Sequence, residues 1–297
     1  MINLDDIINE LDKYFRIKSF PPDSPFSFLV PEKYAEINLN PGNYFTDDFL
    51  ELFHGLMIRN SNKVTYVYSI VFLNEEILDK VFKSNRTNVL LISHHPLDME
   101  TGNRGFLPLS VKYLDELKKR EISVYSIHTP LDVHGKISTS RALAREVGLK
   151  TLRGNLRSEA DFPGICVRFS SPVSFEDLLT RVSAITGVEE LNFIKKQNFV
   201  ENLGVVAGGC DMDHIIKASE IGCDSFLTGT YFNQVKNEIG KQYREAFEKV
   251  KESVDINLVE CSHYASESLV MKIDILDFCT KRWGISCEFL PQDNPWH

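Results

Sequence analysis

The sequence has no excess of basic charge: 33 Lys and Arg stand against 42 Asp and Glu, a net charge of −9 over 297 residues. That balance argues against binding a nucleic-acid backbone as the main business. The short basic clusters Lys118-Lys119-Arg120 and Lys195-Lys196 read as solvated surface. No apolar run approaches the roughly 18 residues that a membrane-spanning helix needs. The opening Met1-Ile-Asn-Leu-Asp-Asp-Ile-Ile carries acids where a secretory signal carries bases. The reading is therefore a cytoplasmic chain without a membrane segment. Six cysteines, at 166, 210, 223, 261, 279 and 287, make no C-x-x-C pair, so a zinc ribbon is unsupported and buried reduced thiols are expected. There is no G-x-S-x-G elbow, although Ser93, Ser126 and Ser262 each lie near a histidine, which argues against a serine hydrolase. Cys261 beside His263 leaves a thiol nucleophile as an alternative.

What is present is organised around Val89-Leu-Leu-Ile-Ser-His94-His95-Pro96, a short apolar run ending in two histidines and a proline. Such a run reads as a buried strand, and Pro96 stops it from continuing as a central one. Past the strand's end the alternation of faces lapses, so both imidazoles are expected to turn toward one point. The same grammar recurs twice. Ile122-Ser-Val-Tyr-Ser-Ile-His128-Thr-Pro-Leu-Asp132 is a strand, a His and then an Asp. Ile256-Asn-Leu-Val-Glu-Cys-Ser-His263-Tyr-Ala-Ser-Glu267 is a strand, a His and a Glu four residues on. The C-terminal edge of an open α/β sheet is where ligands sit, and the working idea is one metal site built from all three.

Along the chain, apolar spacing predicts a helix over 5–15, irregular structure or short strands over the Pro- and Phe-rich 17–48, and a strand over 64–73. A helix over 75–82 leads into the strand at 88–93. Helix 107–119, strand 122–127 and helix 138–147 follow, with Gly148 as the expected C-cap. A second cycle has strand 165–169, helix 174–185 with Ser174 at its N-cap, strand 203–207, helix 213–221 and strand 224–228. Helix 235–250, strand 256–261 and helix 265–281 close it. Strands alternating with helices imply an α/β fold with a largely parallel, covered sheet. The pattern suggests a duplication, with the halves expected at 1–154 and 155–297.

Each constellation has a plainer alternative. Asp132 suits an Asx turn or helix cap as well as a ligand. His263 and Glu267 share one helix face and suit an exposed pair as well as a site. Gly208-Gly209 before a helix suits a phosphate cradle, or a tight turn that needs glycine anyway. His94-His95 after an apolar strand is the hardest to explain without a metal.

The three motifs together resemble the Nif-three-like dinuclear metal-centre family, often labelled GTP cyclohydrolase I type 2 homologue. Family members carry His-His-Pro after a strand, then His-Thr-x-Leu-Asp, then Gly-His-x-x-x-Glu; here these stand as His94-His95-Pro96, His128-Thr129-Pro130-Leu131-Asp132 and Ser262-His263-Tyr264-Ala265-Ser266-Glu267. The resemblance implies two intertwined, duplicated α/β halves with mostly parallel mixed sheets and a metal site at the strand ends between them. It implies two divalent transition-metal ions (Zn, Fe, Mn or Ni) held by His94, His95, Asp132, His263 and Glu267, with Glu267 as the bridge. His128 would stand nearby in a catalytic role, and the chain would form a homo-oligomer, as a ring-shaped hexamer. Three segments depart from the pattern. The early Trp-Asp-x-x-Gly-Leu reads Leu52-Phe53-His54-Gly55-Leu56, the acid after Thr-Gly is Thr230, and the glycine before the last His is Ser262.

Two functions fit. One is a metal-dependent hydrolase of a phosphoester or nucleotide-type small molecule, in which paired ions acidify a bridging water. The other is a non-enzymatic metal-binding ring, a scaffold or regulator.

Overall fold

A computed structural model describes residues 1–100, 102–149, 154–157, 162–231 and 235–294. The chain is a mixed α/β fold with parallel and antiparallel strand pairs. It groups into two compact units: 1–100, 104–134 and 271–293 form the first, and 101–103, 135–270 and 294–297 the second. The boundary expected between 154 and 155 lies beside residues outside the described ones.

The first unit is built on a five-stranded sheet in the order Ser286–Phe289, Tyr66–Phe72, Val89–His95, Ile122–Ser126, Gly55–Ile58. The first four run parallel and the last pairs antiparallel. Val89–His95 lies centrally and is buried at every position, which is why it reads as an unbroken apolar run rather than an alternating one. Helix Leu4–Phe15 forms as its spacing predicts, burying Leu4, Ile7, Ile8, Leu11 and Phe15, with the Asn3 side chain accepting from the Asp5 N–H at its start. Helix Glu75–Lys83 is capped by Asn74 in the same manner.

The stretch 17–48 is not irregular. Phe26–Glu36 and Asp47–Leu52 are helices, and the first of them buries Phe26, Val30 and Tyr34 in the unit's core. Its internal Pro31 and weak amphipathic pattern hide it from a periodicity reading. The helix expected from 107 begins at Val111 after a two-residue strand, Phe106–Leu107.

The second unit carries a six-stranded sheet in the order Asn192–Ile194, Asn257–Glu260, Ser225–Thr230, Phe199–Gly209, Ile165–Ser174, Gly154–Arg157. Its inner strands Asn257–Glu260, Ser225–Thr230 and Phe199–Gly209 are parallel, and the flanking pairs are antiparallel. Ser174 caps helix Phe175–Thr186 as expected, accepting from the Asp177 N–H at 3.1 Å. Gly148 is not a C-cap. The helix Thr139–Ala144 continues as a π-helical stretch, Arg145–Leu149, and a β-carbon at 148 would lie 2.5 Å from Val167 Cγ1. The glycine there serves close packing rather than helix termination. The last helix opens at His263, and its regular turns stop at Leu269; a π-helical stretch, Val270–Ile275, and helix Leu276–Trp283 follow.

Candidate metal centre

In the first unit His94 and His95 are the last two residues of their strand, with His95 still in register opposite Phe72. The expectation that they lie beyond its end is thus corrected. The neighbouring strand Ile122–Ser126 ends opposite Ser93, so from His94 onward that side of the ladder is vacated and side-chain groups can use it. His94 Nδ1 lies 2.7 Å from the Ile127 carbonyl. A ring that donates from Nδ1 to a carbonyl presents Nε2 as its lone-pair atom. His95 stacks on Phe72 with centroids 4.6 Å apart and meets the edge of Phe26. Both imidazoles are buried.

His128 stands at the N-cap of the four-residue helix Thr129–Asp132, where Pro130 sits in the first turn. Its Nδ1 lies 3.1 and 3.3 Å from the two oxygens of Asp23, and the Thr129 N–H donates to the same carboxylate at 3.0 Å. Asp132 turns back toward the histidines: its oxygens lie 3.5 Å from His94 Nε2 and 3.8 Å from His128 Nε2. His94, His95 and His128 each offer one ligand atom, and these atoms lie within 4.8 Å of one another. His128, expected nearby in a catalytic role, thus lies with the two histidines read as ligands.

Sequence reasoning passes over Asp23 altogether and meets His54 only as part of a departing segment. Burial raises the carboxyl of Asp23, but the hydrogen bond and charge of His128 and the Thr129 N–H outweigh it, and the group is held below its usual range. Burial likewise opposes charge on His128, yet the hydrogen bond and charge of Asp23, with Asp132, hold the imidazole above its usual range. His54, with Nδ1 4.0 Å from Asp23 and Nε2 3.2 Å from the Ile17 carbonyl, is pushed down by burial.

In the second unit His263 opens a helix directly after strand Asn257–Glu260, with Ser262 as its N-cap accepting from the Ala265 N–H at 3.2 Å. His263 Nε2 lies 3.2 Å from Glu267 Oε1, and both side chains are buried rather than forming an exposed surface pair. Gly208 explains part of this geometry. It has φ +74°, and a β-carbon there would press on the Glu267 carboxylate and stand 3.4 Å from His263 Nε2. Its N–H donates to Ser266 Oγ at 2.9 Å. The Gly208 backbone thus packs directly on the helix that carries the His–Glu pair. A phosphate cradle is disfavoured, because Asp211 places an acid at the N-cap of the following helix, Met212–Glu220.

Thr230, where the family pattern has an acid, donates its hydroxyl to Glu260 Oε1 at 2.9 Å. Burial pushes that carboxyl up to about 7, although the Thr230 hydroxyl and the Tyr231 N–H act against it. Ser93 bonds to the His95 and Val71 carbonyls, and Ser262 to Asn294. Cys261 is fully buried and its thiol is pushed up by that burial, the opposite of what a thiolate nucleophile needs. None of the six cysteines is in a disulfide.

Imidazole nitrogens and carboxylate oxygens at these spacings are a donor set for a borderline transition metal such as Zn, Fe, Mn or Ni, and the residues fit such an ion. A mixed α/β chain with this equipment is a candidate metal-binding protein. It belongs to the family described as Duf34/NIF3 (NGG1p interacting factor 3), which residues 53–295 match. Among curated relatives, it is 21% identical to the "GTP cyclohydrolase 1 type 2 homolog" of Haemophilus influenzae over 82% of this chain and 90% of that one. It is 28% identical to the "GTP cyclohydrolase 1 type 2" of Helicobacter pylori over 72% and 77%. Among solved structures it shares its fold with TTHA1606 from Thermus thermophilus, at TM-score 0.66 and 22% identity over 99% of both chains. Reduced HcgD from Methanocaldococcus jannaschii matches at TM-score 0.63 and 19% identity over 98% of both chains. No helix among the described residues is long and apolar enough to cross a membrane.

Proposed function

We propose that the chain holds two divalent transition-metal ions through His94, His95, Asp132, His263 and Glu267, with His128 as a further donor beside them, and hydrolyses a phosphoester or nucleotide-type small molecule. The observation that carries the reading is the group formed by buried His94 and His95 with half-buried His128, whose ligand atoms lie within 4.8 Å of one another. Support for joining them with His263 and Glu267 comes from the family's motif order and from the buried His–Glu pair at 3.2 Å. The nucleotide class draws on the names of the relatives. When bound, such ions supply Lewis acidity and lower the pKa of water.

The chain's own groups then have separable tasks. The Ile127 carbonyl orients His94, and Asp23 orients His128, so that both present Nε2. The face of Phe72 stacks on His95 and Phe26 meets it in a T-shaped contact, so that aromatic carbon surrounds the ring. Glu267 has two oxygens and can serve two cations, whereas an imidazole nitrogen serves one. Its loss is expected to disturb both ions, and loss of His94 or His95 mainly one.

The test is elemental analysis of metal-reconstituted wild type, Glu267→Gln, His94→Ala and His95→Ala, with turnover screened against phosphoesters and nucleotides including GTP. Two ions per chain, a Glu267 variant that loses both, and turnover abolished by chelation and by His95→Ala are the expected results. One ion or none in the wild type removes the dinuclear reading. Two ions without turnover on any substrate leave the metal centre and assign the chain to the scaffold or regulator class.

A further inference from the structure

We infer that Asp23 is the positioning residue of His128 and stands in, from an earlier point of the chain, for the acid that the family carries in its Trp-Asp segment. The inference rests on the proposed metal-centre reading. Setting the family's Trp-Asp-x-x-Gly-Leu on Gly55-Leu56 puts its Asp at position 52, where this chain has leucine. Asp23 is bound to that very residue: its N–H donates to the Leu52 carbonyl at 2.8 Å. The Pro21-Pro22-Asp23 segment ahead of helix Phe26–Glu36 thus sets an acidic residue beside position 52.

The side chain is placed for the task. Asp23 is 2% exposed, and its two oxygens serve the ring nitrogen of His128 and the N–H of Thr129 together. One carboxylate thus fixes both the imidazole and the turn that carries it. A carboxylate on Nδ1 holds the proton there and leaves Nε2 as the lone-pair atom, the arrangement that orients metal-binding histidines in general. His128 Nε2 is the nitrogen on the Asp132 side, 3.8 Å from Oδ2. Phe26 lies edge-on to the same ring at 4.8 Å, and His54 closes the far side of Asp23, its Nε2 against the Ile17 carbonyl. The ring is therefore held by polar contact at one nitrogen and by an aromatic wall, with the other nitrogen left for a ligand. A merely structural Asp23 would act through Thr129 alone, and the two roles predict different things for the ring.

The experiment uses the full chain, histidine labelled with nitrogen-15, in metal-free form and with Zn(II) as the probe. Long-range proton–nitrogen spectra, with His128 assigned by its loss in His128→Gln, report the tautomer. Zn(II) affinity is read by competition with a chromophoric chelator. Wild type is expected to show His128 protonated at Nδ1. Asp23→Ala is expected to show mixed tautomers and Zn(II) binding weaker by about 10–100-fold. Asp23→Asn can satisfy only one of its two donors and is expected to fall between; it carries the test should the alanine variant not fold. Adding Leu52→Asp to Asp23→Ala is expected to restore the Nδ1–H signal and most of the affinity. An unchanged tautomer and unchanged Zn(II) affinity in a folded Asp23 variant would overturn the positioning role. Failure of Leu52→Asp to restore either readout would overturn the substitution in space. If wild type binds no Zn(II), the metal reading fails, while the metal-free tautomer still decides the role of Asp23.

Discussion

Replacing Glu260 with glutamine should make the protein more stable at neutral and alkaline pH and leave it almost unchanged in acid. Glu260 ends a buried strand, is 4% exposed, and accepts from the Thr230 hydroxyl. Burial raises its carboxyl from 4.5 to about 7 against that bond and the Tyr231 N–H. Below pH 4.5 the group is protonated in the folded and the unfolded chain, so it contributes no difference. Between 4.5 and 7 the unfolded chain gives up the proton and the folded chain keeps it, so folding stability falls as pH rises. Above 7 both forms are ionised and the loss is complete, on the order of 3 kcal/mol. Glutamine keeps an oxygen for Thr230 and carries no charge, so this slope should vanish. The assay is urea unfolding of metal-free wild type and Glu260→Gln at pH 4.5, 6 and 8, followed by circular dichroism. The gap in unfolding free energy should open from near zero to about 3 kcal/mol across that range. Parallel curves at all three pH values would refute the reasoning, because they would mean that Glu260 ionises in the folded chain as it does in water.

Two further outcomes follow from the same geometry and from the family. Gly208→Ala should cost more than Gly187→Ala, although both glycines have φ +74°: a methyl at 187 meets open space, whereas one at 208 meets the Glu267 carboxylate. The shared backbone strain is worth about 1–2 kcal/mol, and equal shifts in urea midpoint for the two variants would show that the contact with Glu267 is unimportant. We also propose, from the family resemblance, that the chain assembles as a homo-oligomer, most simply a hexameric ring. Light scattering at micromolar concentration should return a multiple of the 34.0 kDa chain mass, and a monomer mass counts against it.

The parts of the site legible in the sequence are those where one short stretch carries the whole message. An apolar run ending in His94-His95 says both strand and site, and so does the run that leads to His263. The α/β fold class follows from the alternation of such runs with helical spacing. What stays hidden depends on contacts between distant residues. Asp23 and His128 are 105 positions apart, and nothing in the periodicity around Asp23 marks it as a partner of a histidine. Thr230 and Glu260 meet only because their strands are neighbours in a parallel sheet. Gly148 misleads because helix-end glycines and close-packing glycines look alike until the opposing Val167 is in view. The strands Gly55–Ile58 and Ser286–Phe289 escape notice because four-residue edge strands carry too few residues to show a period.

The position of Ser286–Phe289 has a consequence for how the chain is made. It pairs with Tyr66–Phe72 and completes the first unit's sheet at its edge, yet it is synthesised after the whole of the second unit's main segment, 135–270. During translation the strand Tyr66-Val-Tyr-Ser-Ile-Val-Phe therefore emerges early and keeps one edge unpaired until residues 286–289 have followed. It is β-prone and uncharged, the kind of edge that recruits other chains. A nascent chain stalled before residue 286 is thus exposed to aggregation in a way that one carrying residues 286–289 is not, and a chain truncated at 284 should pellet where the chain that includes them stays in solution. Ser286–Phe289 thus works as a late-arriving cover for a strand made long before it.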